Sequence, residues 1–132
     1  MTPDSSVIVS ASAAWHHRHV DAAQAAHGLV DLVAHAELEA YSVLTRLPER
    51  FRAPAPAVAR YLSERFPGER LSLDEVERPA LVGRLAGQGI TGGAVYDALI
   101  AATASAHGHE LLTLDARAAR VYARVGAQFR LL

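Results

Sequence analysis

Short β-branched or leucine-rich runs alternate along this chain with alanine-rich stretches whose apolar residues recur every three or four positions. Val7-Ile8-Val9 is too brief for a helix and reads as a buried strand. Residues 15–26 read as a helix that stops before Gly28, and residues 29–34 as a second buried strand. From residue 37 to 47, Leu38, Tyr41, Leu44 and Leu47 fall at intervals of three, which predicts a helix with that face turned inward. Pro48 closes it, because the residue before a proline is pushed out of helical geometry.

Pro54 and Pro56 mark a connection, and a further helix is expected over residues 57–66, stopped by Pro67-Gly68. Residues 70–73 suit a short strand, and Asp74 and Glu75 begin a helix reaching about residue 86. The glycine-rich run 87–93 is the clearest loop, leading into a helix over residues 94–106 that Gly108 terminates. A strand at 110–114, a helix at 115–124 and a last strand at 127–132 complete the pattern. Strands alternating with helices predict a doubly wound α/β fold, a parallel sheet covered on both faces, with one domain spanning residues 1–132. Ligands in such sheets gather at the carboxyl ends of the strands.

Composition narrows the chemistry. With 51% hydrophobic and 20% charged residues the chain reads as soluble and globular. A net charge of -1 gives no whole-molecule basic field, so nucleic-acid binding would need a local patch. There is no cysteine, which removes disulfide scaffolds, thiolate metal sites and cysteine nucleophiles, and fits a reducing cytoplasm. All 13 basic residues are arginine, so P-loop and Schiff-base chemistry have no lysine to use. Neither a secretory signal nor a membrane span is expected, since Asp4 sits where a basic segment should be and the apolar runs are short.

The acids are the candidates for function. Asp115 ends a strand and opens a helix, where it suits an N-cap and also sits at the functional rim. Asp97 lies in the first turn after the glycine loop, which the helix dipole favours in any case. Glu39 is the surprising one, because Leu38 and Tyr41 are expected to be buried beside it, with Ala36, Ala40 and Val43 extending the apolar surface. A glutamate there must be paired, protonated or holding a metal. Asp4 gains meaning only with the others. Carboxylates converging on one rim repel, and without lysine or cysteine the natural occupant is a hard divalent ion, Mg2+ or Mn2+.

Four segments, Pro3-Asp4-Ser5-Ser6-Val7-Ile8-Val9, the run from Glu39 to Pro48, Gly92-Gly93-Ala94-Val95-Tyr96-Asp97-Ala98-Leu99-Ile100, and Leu111-Leu112-Thr113-Leu114-Asp115, resemble the PIN domain. Within it they look most like the VapC-type toxins of bacterial toxin–antitoxin (VapBC) modules. The resemblance implies a three-layer α/β/α domain with a central, mostly parallel sheet of four to five short strands. It implies an Mg2+-dependent endoribonuclease hydrolysing RNA through a metal-activated water, and an antitoxin partner that blocks the acidic site. By position, Asp4, Glu39, Asp97 and Asp115 match the family's catalytic and metal-binding acids, with Asp4 and Asp97 as direct ligands. Ser6 and Thr113 match hydroxyl positions that orient them. One departure is that only Met1, Thr2 and Pro3 precede Asp4, so the first strand is very short or the natural start lies further upstream, and Asp4 is expected to be loosely held. The alternative is a weak or inactive binding module on the same fold.

Other features carry less. His16-His17-Arg18-His19 reads as an exposed helix start, with only His16 and His19 sharing a face. Arg46, and Arg117 and Arg120 on one helix face, are candidates for RNA phosphate contacts, weighed against a solvated surface. Apolar residues in the helix over 37–47, beyond what a core needs, favour a homodimer, as the resemblance also does.

Overall fold

In the computed structural model, which describes residues 1–132, all five strands are only two or three residues long and every strand pairing is parallel. Strand β1 (Thr2–Pro3) pairs with β4 (Leu111–Thr113), and β4 with β5 (Phe129–Leu131), giving the order β1-β4-β5. Strand β2 (Leu32–Val33) pairs separately with β3 (Arg70–Leu71). The two pieces lie side by side, tied by the Thr2 hydroxyl donating to the Asp31 carbonyl at 2.9 Å. Gly68 lets β3 approach: a Cβ there would collide with Asp31 Oδ1, whereas the bare backbone lets Glu69 N–H reach the same oxygen at 2.7 Å.

Seven helices fill the connections: α1 (Ser5–Ser12), α2 (His19–Ala25), α3 (Ala34–Arg46), α4 (Ala55–Arg65), α5 (Glu77–Gly87), α6 (Ala94–Ala106) and α7 (Ala116–Arg124). The expected α/β architecture with a parallel sheet is therefore present. None of the helices is long and apolar enough to cross a membrane. The core runs through Ile8, Leu32, Phe66, Ile100, Leu111 and Tyr122, all essentially without solvent contact. Burying side chains of this size stabilises the fold by roughly 1.5–3 kcal/mol each for the aliphatic ones.

Several expectations are corrected. Val7-Ile8-Val9 is not a strand but the middle of α1, because Asp4 caps the helix and its side chain accepts from Val7 N–H. Capping and burial of Val7 and Ile8 override their β preference. Residues 15–18 form turns rather than helix, and α2 begins only at His19. The strand expected over 29–34 shrinks to Leu32–Val33, with α3 following at once. In α3 the inward face is Ala36, Ala40 and Leu44, while Leu38 and Tyr41 are 66% and 37% exposed. Small side chains at Ala36 and Ala40 let α3 lie close against α1, so these two with Leu44, and not Leu38 or Tyr41, face the core.

Candidate active site

Asp4 leaves the end of β1 and caps α1, buried to 2% exposure. Its Oδ1 accepts from Ser6 Oγ at 2.5 Å and from Val7 N–H at 3.2 Å, and its Oδ2 from the Tyr122 hydroxyl at 2.9 Å. Asp4 is therefore firmly held, against the expectation of a loose terminal acid. Two residues of strand suffice because the chain after them is locked by the cap. Burial pushes the Asp4 carboxyl above its ordinary range, while the hydroxyls of Ser6, Thr113 and Tyr122 and the Val7 N–H pull the other way.

Ser6 also joins this acid to the sheet, since its hydroxyl accepts from Leu114 N–H at 2.9 Å just past β4. Thr113, fully buried at the end of β4, accepts from Asp115 N–H at 3.0 Å. Asp115 caps α7, its Oδ1 accepting from Arg117 N–H at 2.8 Å and Ala118 N–H at 3.3 Å. Its Oδ2 faces the Arg117 guanidinium at 3.6 Å. Both Asp4 and Asp115 are thus helix caps. Capping explains their backbone role but not the burial of a carboxylate at Asp4.

Glu39 projects from α3 towards α1, with Oε2 accepting from Ser5 Oγ at 2.9 Å and Oε1 lying 3.2 Å from His35 Nε2 one turn earlier. Asp97 sits in the first turn of α6, brought there by Gly92, whose φ of 61° makes the sharp entry. Burial, then the charges of Glu39, Asp115 and Asp4, push the Asp97 carboxyl up to about 6, with Arg117 opposing. The same field reaches Tyr122, whose phenol is pushed up by burial and then by Asp4, Asp97 and Glu39.

These donors suit a hard cation. They are carboxylate oxygens, and both the burial and the mutual repulsion that raise Asp97 are what a divalent ion would offset. No three His, Asp or Glu groups are gathered tightly enough to enclose an ion.

Clefts flank the acids on two sides. One, of about 450 Å³, is lined by Ser5, Ser6 and Asp115 and faced by His16, His17 and Arg18. The other, of about 390 Å³, is lined by Ser5, His35, Glu39 and Tyr96 with Arg46 at its rim. Arg117 and Arg120 are exposed on α7, but Arg124 donates to the Gln88 carbonyl and belongs to the α5–α7 contact. Sequence reasoning missed Tyr122, His35, Ser5 and Tyr96. His35 was within reach, being four residues before Glu39 on a helix, and Tyr96 directly precedes Asp97. Nothing in the sequence links Tyr122 to Asp4.

The PIN domain family model matches residues 1–124. Ribonuclease VapC40 of Mycobacterium tuberculosis is 43% identical over 132 residues, covering 100% of this chain and 98% of that protein. Ribonuclease VapC27 of the same organism is 44% identical over 124 residues, 93% of this chain and 90% of that protein. A family match of that extent, with relatives aligned over nearly their full length, makes this chain a member of the PIN domain family, within its VapC ribonucleases.

Proposed function

We propose that this chain is an Mg2+-dependent endoribonuclease toxin that hydrolyses RNA phosphodiesters at the Asp4, Glu39, Asp97 and Asp115 carboxylates. The observation that carries the reading is the Asp97 carboxyl, pushed up to about 6 by burial first and then by the charges of Glu39, Asp115 and Asp4, so four acids share one field. Asp4 and Asp97 would hold the ion directly, with Mn2+ as an alternative occupant. A bound divalent ion would supply an activated water and offset charge on the phosphodiester. Ser6 and Tyr122 orient Asp4, Thr113 fixes the backbone of Asp115, and Ser5 and His35 aim Glu39. Asp115, whose Oδ2 accepts no hydrogen bond, and Glu39 position the nucleophile. Arg46, Arg117 and Arg120 meet RNA phosphates around the acids.

The partner we propose is a cognate antitoxin that covers the acidic site, which is what the likeness to VapC-type toxins implies. Leu38 and Tyr41, apolar and exposed on α3, favour a homodimer, and the cytoplasm is the expected setting. Incubating total cellular RNA with the purified chain in Mg2+, Mn2+ or EDTA tests the activity. Discrete metal-dependent fragments that vanish in Asp4→Asn and Asp97→Asn are expected. Cleavage surviving both substitutions would remove the four acids from the reaction.

A further inference from the structure

We propose that the cleft between α3 and the start of α6 is a subsite for one nucleobase of the RNA, with Tyr96 as its stacking platform and Arg46 as the neighbouring phosphate contact. The proposal rests on the ribonuclease reading above and adds the side of the acidic site along which a single strand runs.

Tyr96 is 53% exposed although it immediately precedes a half-buried acid, so packing into the core does not account for it. Its ring is not free to swing. His35 stacks on it with centroids 5.2 Å apart and planes 8° from parallel. His35 is in turn held by Glu39, whose Oε1 lies 3.2 Å from the imidazole Nε2. A two-ring stack is thus anchored on one of the four acids and opens onto a cleft of about 390 Å³. Clefts that hold small ligands start at roughly 300 Å³, so one nucleotide fits.

The chemistry of the lining agrees. A flat aromatic surface held in place loses little entropy when a base extends the stack, and every base has a face to offer. Arg46 at the rim presents a fork of donors matched to a phosphate. Ser42 lines the same space and can donate or accept at a base edge or a 2′-hydroxyl, while Ser5, whose proton goes to Glu39, can accept there. A duplex cannot present an unstacked base to Tyr96, so this arrangement selects single-stranded or looped RNA.

The test is binding of a labelled single-stranded oligoribonucleotide, about eight nucleotides long, with Ca2+ in place of Mg2+ and the oligonucleotide confirmed intact afterwards. Tyr96→Ala should weaken binding on the order of tenfold, the usual weight of one stacked base, while Tyr96→Phe should match the wild type. A single abasic nucleotide walked along the oligonucleotide should weaken wild-type binding at one position and have no such position in Tyr96→Ala. A merely structural tyrosine would not produce that difference. No binding by the wild type, equal binding by Tyr96→Ala, or identical abasic profiles would overturn the subsite. Parallel cleavage with Mg2+ and Mn2+ separates the two readings. A chain that binds through Tyr96 but cuts nothing keeps the subsite and loses the ribonuclease, whereas one that cuts with no dependence on Tyr96 does the reverse.

Discussion

The Tyr122 hydroxyl donates to Asp4 Oδ2 at 2.9 Å, joining two buried residues 118 positions apart in the chain. Asp4 Oδ1 already takes two donors, Ser6 Oγ and Val7 N–H, so Oδ2 is the oxygen with capacity to spare. In the proposed metal site Oδ2 would face the cation, and Tyr122 would fix its orientation. Tyr122→Phe keeps the ring packing and removes only that bond, at a cost of about 1–3 kcal/mol. The Mg2+ concentration that half-saturates cleavage should rise by about tenfold, as for other groups that orient a ligand. Denaturant unfolding and an Mg2+ titration measure the two effects. A lower stability with an unchanged Mg2+ midpoint would mean that Ser6 and Val7 orient Asp4 without help.

Asp97→Asn should stabilise the metal-free protein while abolishing cleavage. The Asp97 carboxyl, ordinarily at 3.8, is pushed up to about 6 in the folded chain. The folded state thus binds this proton more tightly than the unfolded one, and stability is lost as pH rises from about 4 through about 6. At neutral pH the ionised group then costs roughly 1–2 kcal/mol, after allowing for solvent screening of a half-exposed carboxylate. In EDTA, the variant should melt a few degrees above the wild type at pH 7, with the gap closing near pH 4. Added Mg2+ should raise the wild-type Tm more than that of the variant. A variant that melts lower than the wild type at pH 7 would show that the acids do not repel one another.

How far the sequence foretold this arrangement depends on whether the signal was local. Helix α6 reads correctly from end to end, since Gly92-Gly93 and Gly108 punctuate it, and Asp97 falls in its first turn as expected. Asp115 is legible as a cap for the same reason. Val7-Ile8-Val9 misleads because a cap at Asp4, three residues upstream of Val7, outweighs the propensity of three β-branched residues. The true strand, Thr2–Pro3, is too short to carry any periodicity. On α3 two apolar stripes compete, and only packing against α1 decides in favour of Ala36 and Ala40. The Tyr122–Asp4 bond is wholly tertiary and leaves no trace in spacing.

Ser6→Ala should impair both folding and activity. The Ser6 hydroxyl donates to Asp4 and accepts from Leu114 N–H, so its loss strips a buried carboxylate of one donor and an N–H past β4 of its acceptor. Each unmet group costs about 1–3 kcal/mol. Ser6→Thr keeps the hydroxyl and should recover most of the cleavage rate. Thermal melts beside initial rates give the answer. Equal rates for the alanine and threonine variants would exclude this hydroxyl from holding Asp4.

Arg117 and Arg124 lie on the same helix but should fail differently when truncated. Arg117 is 90% exposed in its side chain, stands 3.6 Å from Asp115 and partly opposes the rise of the Asp97 carboxyl, so it adds positive charge at the mouth of the acidic site. Arg124 instead donates to the Gln88 carbonyl and pins α7 to the end of α5. Single-stranded RNA releases counterions as cationic side chains neutralise its phosphates, which makes binding fall with salt. Arg117→Ala should therefore flatten the plot of log affinity against log salt by about 0.7, the slope of one phosphate contact on a single strand, with little change in Tm. Arg124→Ala should leave that slope intact and lower the Tm. Because removing Arg117 also deepens the repulsion around Asp97, its binding must be compared at fixed, saturating Ca2+. An unchanged slope in Arg117→Ala would confine that residue to screening the acids and leave Arg46 and Arg120 as the phosphate contacts.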